Sequence, residues 1–147
     1  MNTFVDFNIA KLLKDRGIKI EVDEVHFYED EINNTREHQL KNREVLYQDF
    51  DTEYPLNKYQ YQTYTISDII MWLYEKYGIW VSVSPVFEYN DGREDYLTFQ
   101  GFQYYIVITV NNKHTVSIAD REVEATPAKS YLSAIEYILN KVLIFPR

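Results

Sequence analysis

The chain has 147 residues, which is the size of one ordinary domain with a single core. Its 23 acidic and 15 basic residues give a net charge of −8, and a field of that sign repels phosphate backbones, so direct nucleic-acid binding is disfavoured. The absence of cysteine excludes disulfides, thiolate zinc sites and cysteine nucleophiles. We expect one globular domain over 1–147 that is cytoplasmic and not bound to a membrane, because neither a signal-peptide pattern nor a sufficiently long apolar run is present.

The beginning of the chain predicts a helix followed by extended structure. Apolar residues at helical spacing indicate a helix over 7–16, and Gly17 can supply its left-handed cap. Residues 18–22 then alternate between apolar and polar, as a half-buried strand does. The alternation resumes after Glu24 with its phase shifted, which indicates a bulge or a bend there.

The middle of the chain joins a weak pattern to a strong one. Residues 29–62 are polar and mixed in charge, and they predict a long connection with one short strand near 45–50. Thr65 and Asp68 then have the spacing of a capping box, with Asp in place of the usual Glu. The pattern predicts a helix over 66–77 that stops at the glycine after it.

The last part of the chain predicts three strands and a helix. Residues 79–87 alternate, and Pro85 favours an edge strand or a bulge. Residues 96–110 are apolar on both faces, which is typical of a central strand, and 114–120 would be its hairpin partner. A closing helix is predicted over 127–142. The fold class is therefore α+β, with an antiparallel sheet of about four to five strands and three helices, mainly on one face.

Motifs for catalysis or cofactor binding are absent from the sequence. Four glycines are too few and too scattered for a phosphate-binding loop or a dinucleotide fingerprint, and no serine has the setting of a catalytic nucleophile. We therefore expect no cofactor, no metal and no catalytic activity, and a hydrolytic domain is kept as an alternative.

An acidic run around His26 is the most arguable chemical feature. Residues 21–31 hold six carboxylates and no Lys or Arg. In a strand Asp23 and Glu24 would point to opposite faces, so the run does not converge on a metal, and a solvated acidic edge is the simplest interpretation. The candidate acidic surface consists of Glu21, Asp23, Glu24, Glu29, Asp30 and Glu31.

Aromatic residues are concentrated between 59 and 80, which contain both tryptophans. Trp72 falls off the apolar stripe of the predicted helix, and Tyr59 and Tyr61 would share one face of an extended segment. Tyrosine and tryptophan are favoured at interfaces, although they are equally favoured at the solvent-exposed rim of a core. The candidate protein interface consists of Tyr59, Tyr61, Tyr64 and Trp72.

Three segments carry a resemblance to a known group of proteins. The sequences IAKLLKDRG at 9–17, TISDIIMWLYEKYGIWVSV at 65–83 and SYLSAIEYILNKVL at 130–143 resemble small uncharacterised proteins encoded by phages and mobile elements of anaerobic gut bacteria. Such proteins usually have a proline just before the central helix, whereas Pro55 lies ten residues before Thr65. The resemblance implies an α+β fold and intracellular action beside mobile-element growth, and it supplies no catalytic residues.

Three functional hypotheses follow. The leading one is a non-enzymatic, intracellular protein-binding module with a protein partner or a second copy of itself on the aromatic face. The second is an acidic mimic of nucleic acid, built on 21–31 and 88–95, that blocks a DNA-binding host protein. The third is a small-molecule-binding or hydrolytic domain with a carboxylate-lined pocket.

Overall fold

The computed structural model describes residues 3–29, 46–48, 59–89, 97–110, 114–119 and 122–143. These residues form three helices and two antiparallel sheets, so the α+β class is confirmed. The helices are α1 (Phe7–Asp15), α2 (Ile66–Tyr77) and α3 (Pro127–Tyr137), and α3 continues as a π-helical turn (Ile138–Val142). The strands are β1 (Val25–Glu29), β2 (Leu46–Gln48), β3 (Gln60–Thr63), β4 (Ile79–Tyr89), β5 (Leu97–Val110) and β6 (His114–Ala119).

The chain divides into two compact units, one formed by Met1–Ile69 with Leu143–Arg147 and the other by Ile70–Val142. The first holds a sheet in the order β2-β1-β3 and the second a sheet in the order β4-β5-β6. The predicted single sheet of four to five strands is therefore wrong. Because each sheet forms within its own unit, the number of strands along the chain did not indicate how they pair. A single domain over 1–147 stays a prediction.

The start of the first unit follows the predicted helix closely. The Asp6 carboxylate accepts the Ile9 N–H at 3.0 Å and caps the first turn of α1. The helix ends at Asp15 with Arg16 as its C-cap, and Gly17 adopts a φ of 68°, which is the left-handed conformation that glycine favours after a helix. The helix predicted over 7–16 is confirmed.

The strand predicted over 18–22 is wrong. These residues lie in no strand, and the buried Ile20 donates its N–H to the Tyr64 hydroxyl at 3.1 Å instead of to a neighbouring strand. Alternation indicates which side chains face the core, and it does not require that the segment pair with another strand. The chain does bend at Asp23 and Glu24, as predicted, and β1 begins directly after the bend.

The segment predicted as a long connection contributes two strands. The short strand expected near 45–50 is confirmed as β2, which pairs with β1. The prediction missed β3, which pairs antiparallel with the other edge of β1, so that His26 lies opposite Thr63. Because β1 is the central strand, it joins two segments that are far apart in the sequence.

Helix α2 has the bounds and the cap that the sequence predicts. The Asp68 N–H donates to the Thr65 hydroxyl at 3.1 Å, and the Thr65 N–H donates to the Asp68 carboxylate at 3.3 Å. The helix ends before Gly78, whose φ is 66°. Three residues of its apolar stripe, Ile66, Ile69 and Leu73, are buried.

The second unit is built on the long β4–β5 hairpin. Strand β5 is central, as predicted, and β4 is an edge strand that contains Pro85. The register runs from Ile79 opposite Ile108 to Val86 opposite Gly101, and it then shifts, because Phe87 lies opposite Phe99. Gln100 is thus the extra residue of a bulge on β5. Both outcomes that Pro85 favoured, an edge position and a nearby bulge, are present.

Helix α3 covers one face of this hairpin. The Thr126 hydroxyl accepts the Lys129 N–H at 3.2 Å at its start, and the helix packs on β4 and β5. The predicted helix over 127–142 is confirmed, with its last turn in π geometry. The buried apolar side chains of this unit include Ile79, Val81, Tyr104, Ile106, Ala134, Ile135, Ile138 and Leu139.

Candidate functional site

Tyr64 belongs to the core rather than to a contact surface. Its side chain is 2% exposed, and its hydroxyl accepts the Ile20 N–H. Burial raises the pKa of the Tyr64 hydroxyl, and the Asp68 carboxylate nearby adds to that rise. Its place in the predicted interface is corrected, because a ring enclosed in this way cannot contact a partner.

The other two predicted tyrosines are half-buried. The Tyr61 ring packs edge-on against the Phe7 ring, with 5.0 Å between centroids, and the Lys14 ammonium lies 4.4 Å from the Tyr61 ring centre. The same ammonium donates to the Gln60 carbonyl at 2.9 Å, which fixes it over the ring. Tyr61 therefore already has contacts within the unit, and its use as a surface, like that of Tyr59, stays a prediction.

Trp72 is half-buried on the second unit. Its ring meets the Tyr77 ring edge-on at 5.4 Å, and the Lys76 ammonium lies 5.6 Å from the Trp72 ring centre. Contacts on its own helix thus account for a tryptophan that lies off the apolar stripe. The tyrosines and Trp72 belong to different compact units, so a surface common to all of them stays a prediction.

The acidic run divides into two parts. Glu21, Asp23 and Glu24 are exposed around the bend that precedes β1, and they line a pocket. Glu29 lies at the other end of β1, where its carboxylate accepts from the Gln60 side chain at 3.4 Å. Asp30 and Glu31 lie outside the described residues, as does most of the acidic stretch over 88–95. The acidic surface as a whole therefore stays a prediction.

The pocket has a volume of about 450 Å³ and lies within the first unit. The register of β1 with β3 creates it, since that pairing brings the acidic bend beside the start of α2. Sequence analysis missed the contribution of Asp68, because nothing local links it to the bend. The pocket is lined by Phe4, Glu21, Val22, Asp23, Glu24, His26, Thr63, Tyr64, Thr65 and Asp68.

Most polar groups in the wall of the pocket have structural tasks. The Thr63 hydroxyl donates to the Val5 carbonyl at 3.1 Å, and the Asp68 carboxylate caps α2. The His26 ring packs on the Phe4 ring at 4.7 Å. Within the described ranges, no three His, Asp or Glu side chains are grouped so that they could hold a metal ion. The pocket is an open acidic recess with an aromatic wall, which suits an organic cation.

Exposed apolar side chains are concentrated in the second unit. Among the described residues, every large apolar side chain that is exposed lies there. Two of them, Tyr74 and Trp80, pack against each other with 4.0 Å between ring centroids. The full set is Met71, Tyr74, Trp80, Phe87, Leu97, Phe99, Tyr105 and Val123.

The face of the β4–β5 hairpin that packs on α3 extends beyond the part that α3 covers. Side chains on β4 alternate, so Val81 and Phe87 share one face, and the bulge on β5 keeps Phe99 on that face opposite Phe87. The Phe87 and Phe99 rings lie 5.7 Å apart, and the Phe99 ring lies 5.3 Å from that of Phe102. At the α3 end this face is buried, whereas Phe87, Phe99 and Leu97 are 51%, 51% and 53% exposed. We call Phe87, Leu97 and Phe99 the distal apolar patch.

Sequence analysis missed the distal apolar patch, although its alternating pattern is visible around Pro85 and in 96–110. Alternation predicts which residues share a face, but only the structure shows where α3 stops covering that face.

The chain matches no protein-family model, no curated protein and no solved structure. In the described part of the chain, no helix combines the length and the apolar character that crossing a membrane requires.

Proposed function

We propose that the chain is a protein-binding module whose contact surface is the distal apolar patch. The single observation that carries this proposal is the cluster of half-exposed Phe87, Leu97 and Phe99 at the end of a long, hydrogen-bonded hairpin. Isolated apolar side chains on a surface are ordinary, whereas a contiguous apolar patch of a few hundred Å² is often a contact site.

The energetic scale suits a contact surface. With half of each side chain exposed, the patch presents about 300 Å² of apolar area. At about 25 cal/mol per Å², covering that area would contribute about 7 kcal/mol before the costs of association are subtracted. The rings of Phe87 and Phe99 are held by strand pairing and by each other, so little side-chain entropy is lost on binding.

The surroundings of the patch indicate the chemistry of its partner. Glu88 follows Phe87 and is exposed, and the sequence EYNDGRED at 88–95 holds four carboxylates and one arginine. The acidic sequence at 88–95 supports a partner whose surface has an apolar centre and a basic rim. The field of a chain with a net charge of −8 would speed the approach of such a partner. Intracellular action, and an origin in phages or mobile elements, belong to the proposal through the resemblance alone.

Affinity capture with matched variants tests the proposal. Phe87→Ser and Phe99→Ser should lose the proteins that the unaltered chain captures, because they remove apolar area without removing core residues. Tyr105→Ser is the control, since Tyr105 is exposed on β5 at a distance from the patch. The same experiment on Tyr61→Ala and Trp72→Ala compares this surface with the one that the sequence predicted. An unchanged set of captured proteins in the Phe variants would refute the patch as the contact surface.

A second candidate function is the binding of an organic cation in the acidic pocket. The observation that favours it is that Asp23, Glu24 and Asp68 line the same pocket as Phe4 and His26. Calorimetric titration with spermidine tests it. Glu24→Gln should weaken the binding at least threefold, whereas Glu29→Gln, which lies outside the pocket, should leave it unchanged. Equal weakening by both variants would indicate attraction to net charge and not a site.

A further inference from the structure

Among the described residues, none pairs with the outer edge of strand β4. In the described part of the chain it pairs only with β5, and the sheet ends at β4. The Thr109 N–H donates to the Gly78 carbonyl at 3.2 Å, and these two residues continue the register in which Ile79 lies opposite Ile108. The backbone N–H and C=O groups of even-numbered residues before the bulge therefore point towards β5. The N–H and C=O groups of Ile79, Val81 and Val83 point away from β5.

The composition of this edge leaves it open to another strand. Like those of Val83, the backbone N and C=O of Pro85 are on the outer side of β4. The N–H that proline lacks is therefore missing from the outer edge and not from the ladder with β5. Natural edge strands are usually guarded by charged side chains, but β4 has none before Glu88. Proline and charged side chains both protect strand edges, and before Glu88 strand β4 has only Pro85. Pro85 limits pairing to the residues before it.

We propose that β4 pairs edge to edge with β4 of a second copy of this chain, antiparallel across a two-fold axis at Val81. In this register Val81 lies opposite Val81 of the second copy, and Ile79 lies opposite Val83 of the second copy. Every outward N–H and C=O of the three residues then has a partner. The proposal does not depend on the distal apolar patch, which lies further along the hairpin.

Neighbouring registers are worse for a physical reason. An axis at Trp80 would pair Ile79 with Val81 and leave the outward groups of Val83 beyond the ladder. An axis at Ser82 would place Ile79 opposite Pro85, which has no N–H to donate. Only the axis at Val81 uses all three outward residues and leaves Pro85 outside.

A second copy suits this edge better than an unrelated segment. The two-fold register pairs β-branched side chains with each other, and such pairs stabilise sheets. It places no like charges opposite each other, and it brings the exposed Trp80 beside the exposed Ser82 of the second copy. The paired area is well below the roughly 800 Å² per partner of a stable dimer, so we expect weak association. Each copy has a net charge of −8, so salt should strengthen it by screening the repulsion.

Sedimentation velocity on the full chain tests the association. The chain should be monomeric near 1 µM and partly dimeric near 1 mM, with more dimer in about 0.3 M than in about 0.05 M NaCl. Val83→Pro removes one outward N–H and should reduce the dimer at least tenfold. Val83→Ala keeps that N–H and should still dimerise. Tryptophan fluorescence confirms that both variants are folded.

Crosslinking tests the register, because any cysteine introduced into this cysteine-free chain is unique. In the proposed dimer the two Ser82 positions lie about 7 Å apart along the strands, whereas the two Glu88 positions lie about 45 Å apart. A bifunctional thiol reagent that spans about 8 Å should therefore join Ser82→Cys and not Glu88→Cys. A monomer at all concentrations, or equal crosslinking of the two variants, would overturn the proposal. Binding of an unrelated peptide by a strictly monomeric chain would overturn it equally.

Discussion

Gly101 offers a stringent test of the packing in the second unit. Its φ of 139° lies where only glycine is comfortable, and a Cβ added there would lie 2.6 Å from the Glu124 carbonyl oxygen and 2.5 Å from a methyl of Val123. The adjacent Phe102 exchanges two backbone hydrogen bonds of 2.8 Å with Glu124. Gly101→Ala must therefore strain the backbone and push away the segment that Phe102 holds.

The expected loss can be compared with that at Gly78, in the same unit. Gly78 also has a positive φ, of 66°, but a Cβ there would meet Thr109 at an ordinary 3.6 Å. Gly78→Ala should cost about 1–2 kcal/mol of unfolding free energy, from the left-handed conformation alone. Gly101→Ala adds about 1–3 kcal/mol for the overlap and about 1–3 kcal/mol for the two weakened hydrogen bonds. It should thus be less stable than Gly78→Ala by at least about 2 kcal/mol.

Urea denaturation followed by tryptophan fluorescence measures this difference, because Trp72 and Trp80 both lie in the second unit. Equal losses for the two variants would refute the reasoning, since they would show that the segment at Glu124 does not press on Gly101. If Gly101→Ala does not fold in buffer, the two glycine variants can be compared in the presence of a stabilising osmolyte.

Three further predictions concern single side chains. Burial raises the pKa of the Tyr64 hydroxyl above its usual 10.0. As the pH rises, the unfolded chain therefore loses this proton before the folded chain does. The stabilisation that is present below pH 10 is lost between pH 10 and the higher pKa of the folded chain. In urea titrations at pH 8 and pH 11, Tyr64→Phe should reduce this alkaline loss of stability. The variant should also be less stable at pH 8, because it lacks the hydrogen bond with Ile20. An unchanged pH dependence would contradict the burial of the hydroxyl. Thr65→Ala removes the acceptor for the Asp68 N–H and should cost about 1 kcal/mol in unfolding free energy, and no loss would show that the capping box does not stabilise α2. Ser130 is fully buried, and in the described part of the chain its hydroxyl has no hydrogen-bond partner. Ser130→Ala should therefore raise the free energy of unfolding by about 0.5–1 kcal/mol. A lower free energy of unfolding would reveal a partner for the hydroxyl.

Local signals predicted the elements that they determine. The bounds of α2 could be read from Thr65, Asp68 and Gly78, because a cap, a first-turn carboxylate and a terminal glycine act within a few residues. Pro85 likewise indicated an edge strand, since its missing N–H is a property of the residue itself. Such features need no knowledge of the rest of the fold.

Features that depend on pairing between distant segments could not be predicted. The register of β1 with β3 sets His26 opposite Thr63, and from it follow both β3 and the acidic pocket. Tyr64 is buried, and its hydroxyl accepts a hydrogen bond from Ile20, a residue that alternation had assigned to a strand. The division into two sheets has the same origin, because the pattern of a strand does not name its neighbour.

The distal apolar patch can also be understood as a mismatch between the lengths of two elements. Strand β5 has 14 residues and spans about 46 Å. Helix α3 and its π-helical turn have 11 and 5 residues and span about 24 Å. A helix of that length can cover at most about half of the strand. The length of the hairpin therefore sets the size of the exposed face: two residues removed from each strand would shrink it, and about four further helical turns would be needed to cover it.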